Sequence, residues 1–187
     1  MSATLLSMST QPFALPTDRD MLPSERRAFV RTHRTCVFGY ARRSDGPAMS
    51  VVYYVPTSDD QLLIATMAGR AKAAAVERSG KVALCVLDEQ WPVGYLQVYC
   101  DAVVDRDRSL TVDVMMAVGA RMSGAELDPA ARPIVERMAE EEDRLLIRCR
   151  PYSTFATPPR QPPESGGRLT HWLSGAVAWD AADSHPG

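Results

Sequence analysis

The chain has 187 residues and a formal net charge of −2, with acidic and basic residues interspersed along it. A chain of this size buries on the order of 70% of its unfolded surface, so we expect one domain with a hydrophobic core. The sequence has no basic stripe for a nucleic-acid backbone and no apolar run near the roughly 20 residues that span a bilayer. It also shows no secretory signal. We therefore expect no nucleic-acid or membrane partner and a cytoplasmic location.

The two ends of the chain have the composition of flexible segments. Residues 1–20 contain scattered proline among serine and threonine, and residues 158–187 are dominated by proline, glycine and serine. We expect a flexible N-terminal arm, a folded domain over residues 21–157 and a C-terminal tail. Within the tail, Thr170–Leu173 could dock as one turn.

The folded domain is predicted to begin near Pro23 with a helix, for which Ser24 is the candidate N-cap. A β-hairpin follows. Two β-rich runs, Thr35–Ala41 and Ala48–Val55, flank the turn sequence Ser-Asp-Gly-Pro.

The next part of the chain alternates between strand and helix. Gln61–Thr66 is an apolar strand, Arg70–Ser79 is an alanine-rich helix that Gly80 should end, and Lys81–Asp88 is another apolar strand. Tyr95–Asp105 alternates between apolar and polar residues, which predicts a strand with one face in the core.

The last predicted elements are two helices and a strand. The helices, Asp107–Met122 and Asp128–Glu142, form a helical insertion over residues 107–142 that should pack outside the sheet. Arg144–Arg150 is the final strand, which Pro151 should end. Six strands joined mainly by tight turns predict a mainly β protein with helices (α+β), a closed or nearly closed antiparallel barrel.

A group of anion-binding residue types lies where the third strand meets the alanine-rich helix. Thr66, Gly69, Arg70 and Lys72 combine a hydroxyl, a glycine turn and two cations at a helix N-terminus, whose free N–H groups attract anions. Arginine at a helix start opposes the helix dipole, which a bound anion would offset. The pattern predicts a phosphate site for a phosphorylated cofactor. The alternative is a solvated first turn whose cations face water.

Other catalytic and metal-binding patterns are absent from the sequence. The histidines, at positions 33, 171 and 185, form no HExxH motif, and there is no GxSxG motif or metal-ligand spacing, so we expect no metal site. The cysteines lie in apolar runs without CxxC spacing and are interpreted as small core residues: Cys36, Cys85, Cys100 and Cys149. His33 could ligate haem, but a helix-terminal histidine stabilised by the dipole is the more common arrangement.

Several motifs occur in the same order as these elements. They are Gly-Pro-Ala-Met-Ser-Val-Val-Tyr in the hairpin, Ala65-Thr66 at a strand end, Gly-Arg-Ala-Lys before the helix, Lys-Val-Ala-Leu-Cys-Val-Leu-Asp, and Tyr-Leu-Gln-Val-Tyr. This order resembles the pyridoxamine 5′-phosphate oxidase superfamily, and most closely its actinobacterial flavin- and deazaflavin-dependent oxidoreductases. The resemblance covers roughly Ser24–Asp105 and, more weakly, Arg144–Thr157.

The resemblance implies a split β-barrel of the FMN-binding type and a homodimer with a flavin-type cofactor at the subunit interface. It implies that the cofactor phosphate is held at the end of the third strand and the start of the helix. The cofactor-binding residues carried over are Ala65, Thr66, Arg70 and Lys72 for this end, and Ser50, Val51, Val52 and Tyr53 for the strand that lines the ring. No catalytic residue is carried over.

The chain also departs from the family pattern. Cys100 stands where relatives usually carry glycine, and the helical insertion is longer than the family core needs. No segment rich in arginine and histidine is found in residues 166–187, which disfavours pyridoxamine phosphate as the substrate.

Three groups of apolar side chains have alternative interpretations. Tyr53 and Tyr54 are successive strand residues, so only one can face a ring pocket. Trp91 could close the cofactor mouth or form a dimer contact. The methionines of the first inserted helix could cover an apolar substrate or pack in the core: Met115, Met116 and Met122.

The leading hypothesis is an enzyme that uses FMN or the deazaflavin coenzyme F-420 to transfer hydride to a small organic acceptor. Such chemistry needs orientation and exclusion of water more than reactive side chains. One alternative is a non-catalytic flavin or haem carrier or sensor on the same fold. Another is a relative that has lost cofactor binding.

Overall fold

The computed structural model describes residues 4–6, 13, 16, 20–88, 94–157 and 175–184. Trp91 and Thr170–Leu173 lie outside the described residues, as do most of residues 1–20 and 158–187. The helices are α1 (Pro23–Thr32), α2 (Ala71–Ser79), α3 (Arg108–Ser123) and α4 (Arg132–Glu141). The strands are β1 (Thr35–Tyr40), β2 (Ala48–Tyr53), β3 (Val55–Pro56), β4 (Leu62–Met67), β5 (Lys81–Leu87), β6 (Tyr95–Asp105), β7 (Arg144–Thr157) and β8 (Val177–Ala178).

The described strands form one antiparallel sheet in the order β2-β1-β5-β6-β7-β4-β3, and β8 pairs with β7. The sheet curls around a core, which confirms the predicted α+β class and split antiparallel β-barrel fold. Eight strands are found instead of six because β3 and β8 have only two residues each, too few for an alternating pattern in the sequence.

The barrel core is built from the inward face of each strand and closed by α1. On β6, the inward residues Leu96, Val98, Cys100 and Ala102 are buried, as their alternation predicts. Phe29 of α1 is fully buried in the same cluster.

β4 is buried on both faces. Leu62 and Ile64 belong to the barrel core, whereas Leu63 belongs to a second, smaller cluster with Leu146 of β7 and Val114 of α3. The helix α3 therefore covers the outer face of β4 and β7. The continuous apolar run in β4 results from burial on both faces.

Two predicted element boundaries are wrong. Helix α1 has Leu22 at its N-cap, and the carboxylate of Glu25 accepts the Leu22 backbone N–H at 2.8 Å. Ser24 lies inside the helix. Strand β7 does not end at Arg150 but continues through Pro151, which pairs with Cys100 where the β6–β7 register shifts. A proline lacks the N–H that a regular ladder needs, and a bulge accommodates this.

The second inserted helix, predicted over Asp128–Glu142, is also shorter than predicted. Asp128 caps a 3₁₀ turn, Pro129–Ala131, by accepting the Ala130 N–H at 2.8 Å, and the α-helix begins only at Arg132.

Short pieces from both ends of the chain contact the domain. Leu6 donates its backbone N–H to Pro56, and Ser58 donates to Thr4, so residues 4–6 lie along the end of β3. Near the other end, Trp179 is packed into the barrel core, and the Arg27 guanidinium donates to its carbonyl at 2.7 Å. Within the described ranges, no helix has the length and apolar character to cross a bilayer.

Candidate functional site

A cavity of about 790 Å³ lies between β2, β4 and the start of α2 on one side and the helices α3 and α4 on the other. All eight predicted cofactor-binding residues line it: Ser50, Val51, Val52, Tyr53, Ala65, Thr66, Arg70 and Lys72. The structure therefore brings together the two sets that the sequence placed on β2 and around the start of α2. Their role in binding a cofactor stays a prediction.

The ammonium of Lys72 is the central cation of this cavity. Its Nζ donates to the Ser50 hydroxyl at 2.9 Å and lies 5.8 Å from the centroid of the Phe38 ring. Burial and, second, the neighbouring charge of Arg70 lower the pKa of Lys72 below its ordinary value of 10.5. No carboxylate among the described residues forms an ion pair with Lys72.

The N-terminus of α2 faces the same cavity without a side-chain cap. Arg70 occupies the N-cap position with an extended backbone, and no side-chain hydrogen bond closes the first turn. Free N–H groups at a helix N-terminus and the adjacent cations make a natural anion site. The helix ends at Gly80, whose φ of +61° is the left-handed conformation that glycine adopts at a C-cap.

Thr66 and Ala65 lie at the end of β4, next to the start of α2. Thr66 is 5% exposed and pairs with Leu145 of β7. The Ala68 N–H donates to the backbone carbonyl of Asp143 at 2.8 Å, which anchors the turn between β4 and α2. The Thr66 hydroxyl and the start of α2 are thus fixed in position by the sheet.

Arg144 is a third cation of the cavity, and the sequence interpretation missed it. It begins β7 beside Met67 of β4, directly after the turn at Asp143, which has φ +46°. Its guanidinium forms an ion pair with Glu142 at 2.5 Å. A charged residue at the edge of a predicted strand gave no signal of a binding role.

Tyr53 and Tyr54 face opposite sides, as expected for successive strand residues. Tyr53 lines the cavity. Tyr54 is fully buried and donates its hydroxyl to the Val30 carbonyl at 2.6 Å, and burial raises its pKa well above 10.0. Tyr54 therefore joins the sheet to α1.

The wall opposite the cations is apolar and comes from the helical insertion. It contains Met115, Val118, Gly119 and Met122 of α3, Leu127 of the connecting loop, and Val135 and Met138 of α4. Of the three methionines considered from the sequence, Met115 and Met122 line the cavity and Met116 does not. The remaining lining residues that the sequence did not indicate are Tyr40, Met67 and Ala71.

His33 and the cysteines lie outside the cavity lining. The Nδ1 of His33 is 2.7 Å from the Phe29 carbonyl oxygen, and its ring stacks on Phe29 at a centroid distance of 3.9 Å. The four cysteines are free thiols. The prediction that all four lie in the core is wrong for Cys85, which is half-buried because it alternates with the inward residues Leu84 and Val86 of β5. Burial raises the pKa of Cys36. No group of three or more potential metal ligands occurs in the part of the chain that the structure describes.

The sequence profile described as "Pyridoxamine 5′-phosphate oxidase" matches residues 22–156, which is most of the chain. The chain belongs to the pyridoxamine 5′-phosphate oxidase family. This match confirms the resemblance found in the motifs and extends it across the helical insertion. No curated protein matches the chain in sequence.

Solved structures with the same fold have different described properties. A conserved hypothetical protein from Mycobacterium tuberculosis is 20% identical, with a TM-score of 0.66 over 83% of this chain and 98% of that one. A FAD-binding protein from Mesorhizobium loti is 13% identical, with a TM-score of 0.51 over 70% and 90%. A heme storage protein from Vibrio cholerae is 16% identical, with a TM-score of 0.51 over 71% and 91%. At these identities the similarity shows the shared fold.

Proposed function

We propose that the protein is a flavin- or deazaflavin-dependent oxidoreductase that transfers hydride to a small organic acceptor. The observation that carries this proposal is the half-buried ammonium of Lys72, which faces the cavity without a carboxylate partner among the described residues. A partly desolvated cation beside a second cation is unfavourable unless an anion binds there. The phosphate of FMN or of coenzyme F-420 would supply that anion.

The chain's own groups would bind and orient the cofactor. Lys72 and Arg70 would hold the phosphate together with the free N–H groups at the start of α2, and Thr66 would place a hydroxyl beside them. Residues 50–53 of β2 would lie along the ring. Apart from Arg70 at the N-cap of α2, these groups are on regular elements, which favours a fixed geometry.

When bound in its reduced form, the cofactor supplies the hydride, and a proton from solvent completes the two-electron reduction of the acceptor. A separate dehydrogenase reaction would have to reduce the oxidised cofactor again. The protein's contribution is orientation and exclusion of water by the apolar wall of α3 and α4.

A haem carrier is less well supported as the function. The heme storage protein shares the fold, but no histidine in the described part of this chain lines the cavity. The ring of His33 is engaged with the end of α1 instead.

We also propose a homodimer in which the outer face of the sheet is the interface. A row of neighbouring outward residues crosses five strands in register: Val51, Val37, Cys85, Gln97 and Phe155. Four of these five are apolar, and Val51 is 72% exposed. An outer face of an antiparallel sheet is usually polar, and an apolar one favours burial by a partner. Because Val51 also lines the cavity, a second copy seated here would lie beside the cofactor site.

We further propose a cytoplasmic location. Four free cysteines, three of them buried, fit a reducing compartment better than an oxidising one.

The proposed function is tested by titrating the purified apo-protein with FMN, coenzyme F-420 and haem and following fluorescence quenching. Micromolar or tighter binding of one flavin-type cofactor supports the proposal and identifies the cofactor. Preference for haem would favour the carrier alternative, and no binding would favour loss of cofactor binding. An anaerobic assay of cofactor reoxidation by organic acceptors then separates an enzyme from a flavin carrier.

The phosphate assignment has a matched control in the chain. The variant Arg70→Ala/Lys72→Ala should lose about 2–5 kcal/mol of cofactor binding free energy. The variant Arg78→Ala/Lys81→Ala removes the same two charge types from the other end of α2 and the exposed Lys81–Asp101 pair, outside the cavity lining. It should bind the cofactor normally. Equal affinities for the two variants would refute the assignment.

A further inference from the structure

We propose that the wall formed by α3 and α4 binds an extended apolar chain, so that the acceptor is a neutral molecule with an alkyl part. This inference rests on the proposed function, because it assigns the cationic wall of the same cavity to the cofactor. It follows from how the two walls differ.

The chemical character of the cavity changes from one wall to the other. The cations Arg70, Lys72 and Arg144 all lie on the sheet side, at α2 and the start of β7. The lining residues of α3, α4 and their connection carry no charge, and no carboxylate among the described residues lines either wall. A cationic acceptor would therefore lack a counter-ion. The cofactor phosphate would occupy the cations, so an acceptor beside it needs no negative charge of its own.

The apolar wall has side chains that a ligand could still cover. Met122 is 61% exposed and Met138 is 42% exposed, and both line the cavity. Flexible thioether side chains adapt to ligands of different shape, and burying their surface is favourable. Methionines that only completed a protein core would be buried.

The amphipathic arrangement of α4 places its charges elsewhere. Val135 and Met138 line the cavity, whereas Arg132 and Glu136 lie along a separate groove against α3. There the Arg132 guanidinium joins the two helices by contacting Asp113 at 2.7 Å. This ion pair thus joins the two helices away from the cavity.

Close packing inside the insertion gives the wall a defined shape. A Cβ added at Gly119 would lie 2.5 Å from the Cδ1 of Leu127, so the lack of a side chain at Gly119 leaves room for the Leu127 side chain to pack against α3 in this rotamer. Leu127 is thereby held against α3 at the cavity surface. The wall is continuous from α3 through the loop to α4.

The test is isothermal titration calorimetry with 2-alkanones from 2-hexanone to 2-decanone, performed on the cofactor-saturated protein and on the apo-protein. Each added methylene should lower Kd about fourfold while the chain lengthens along the wall. Met138→Glu should abolish most of this dependence on chain length. Ile134→Glu is the matched control, because Ile134 is 61% exposed on the same helix but does not line the cavity. Met122→Gln tests the same wall without introducing a charge.

The outcomes distinguish this inference from the function on which it rests. Normal cofactor binding with a Kd that is independent of chain length overturns the apolar-chain inference alone. If Kd depends on chain length equally in Met138→Glu and Ile134→Glu, the apolar-chain inference alone is likewise overturned. Chain-length dependence in the apo-protein without any binding of FMN or F-420 supports an apolar site and overturns the proposed function.

Discussion

The Nζ of Lys72 donates a 2.9 Å hydrogen bond to the hydroxyl of Ser50, and this contact joins the first turn of α2 to β2. The two residues are 22 positions apart in the chain. Their contact places the residues predicted to bind the phosphate and the strand predicted to line the cofactor ring on adjacent sides of one cavity. A cofactor held at Lys72 would therefore have its ring within reach of β2.

Replacing Lys72 with methionine should weaken cofactor binding and leave the apo-protein at least as stable as the wild type. The charge on Lys72 is disfavoured by burial and by Arg70, as its lowered pKa shows. We expect cofactor affinity to fall about tenfold to a hundredfold. The thermal midpoint should stay constant or rise by up to about 3 °C. Titration and thermal unfolding check the two effects, and a clear loss of apo-protein stability would contradict this account of Lys72.

The stability difference between wild type and Lys72→Met should depend on pH. A lysine whose pKa is lowered in the folded state binds fewer protons there than in the unfolded state. Its contribution to the free energy of unfolding therefore becomes more favourable as the pH rises from the lowered pKa toward 10.5. Any advantage of the variant should shrink over that range. Urea unfolding of wild type and variant at several alkaline pH values measures it.

Replacing Tyr54 with phenylalanine should lower the free energy of unfolding by about 1 kcal/mol, because it removes the hydroxyl that donates to the Val30 carbonyl. The raised pKa of Tyr54 has its own consequence. The stabilisation is fully present below pH about 10 and is lost as the pH rises further, because ionisation is favoured in the unfolded chain. Absorbance titration should show the same number of ionising tyrosines in folded wild type and variant. If one more tyrosine ionises in the folded wild type than in the variant, Tyr54 is accessible to solvent.

Gly119→Ala should be less stabilising alone than when Leu127 is also shortened. The added methyl group would meet the Cδ1 of Leu127, whose side chain must change rotamer to give way, and this offsets part of the gain from alanine. In the Leu127→Ala background the collision is gone, and alanine in place of glycine inside a helix contributes about 1 kcal/mol. Urea unfolding of the two single variants and the double variant gives the coupling energy. Additive effects would show that Leu127 does not contact α3 in this way.

Val51→Glu should convert the proposed dimer to a monomer without unfolding the protein. The side chain is 72% exposed in the isolated chain, so a glutamate costs little within one protomer. In a dimer it would bury an unpaired charge in an apolar interface. Analytical ultracentrifugation of this variant and of Ile134→Glu provides the comparison. A monomeric wild type, or a Val51→Glu variant that stays dimeric, would remove the sheet face as the interface.

The amino-acid sequence by itself determined the order of the main strands and helices and the grouping of hydroxyl and cationic residues at the start of α2. Alternating residues such as those of β6 carry their burial pattern locally. Thr66, Arg70 and Lys72 are so close in the chain that one turn brings them together. The sheet class followed from short connections and from the absence of a helix after most strands.

Only the tertiary structure decided which distant residues complete the cavity. Arg144 reaches it because the turn at Asp143 starts β7 beside β4, and the helical wall forms because α3 packs across β4 and β7. The rotation of α3 about its axis, which is set by packing, places Met115 in the cavity lining and leaves Met116 out. Such choices depend on long-range contacts, and neither residue type nor spacing along the chain encodes them locally.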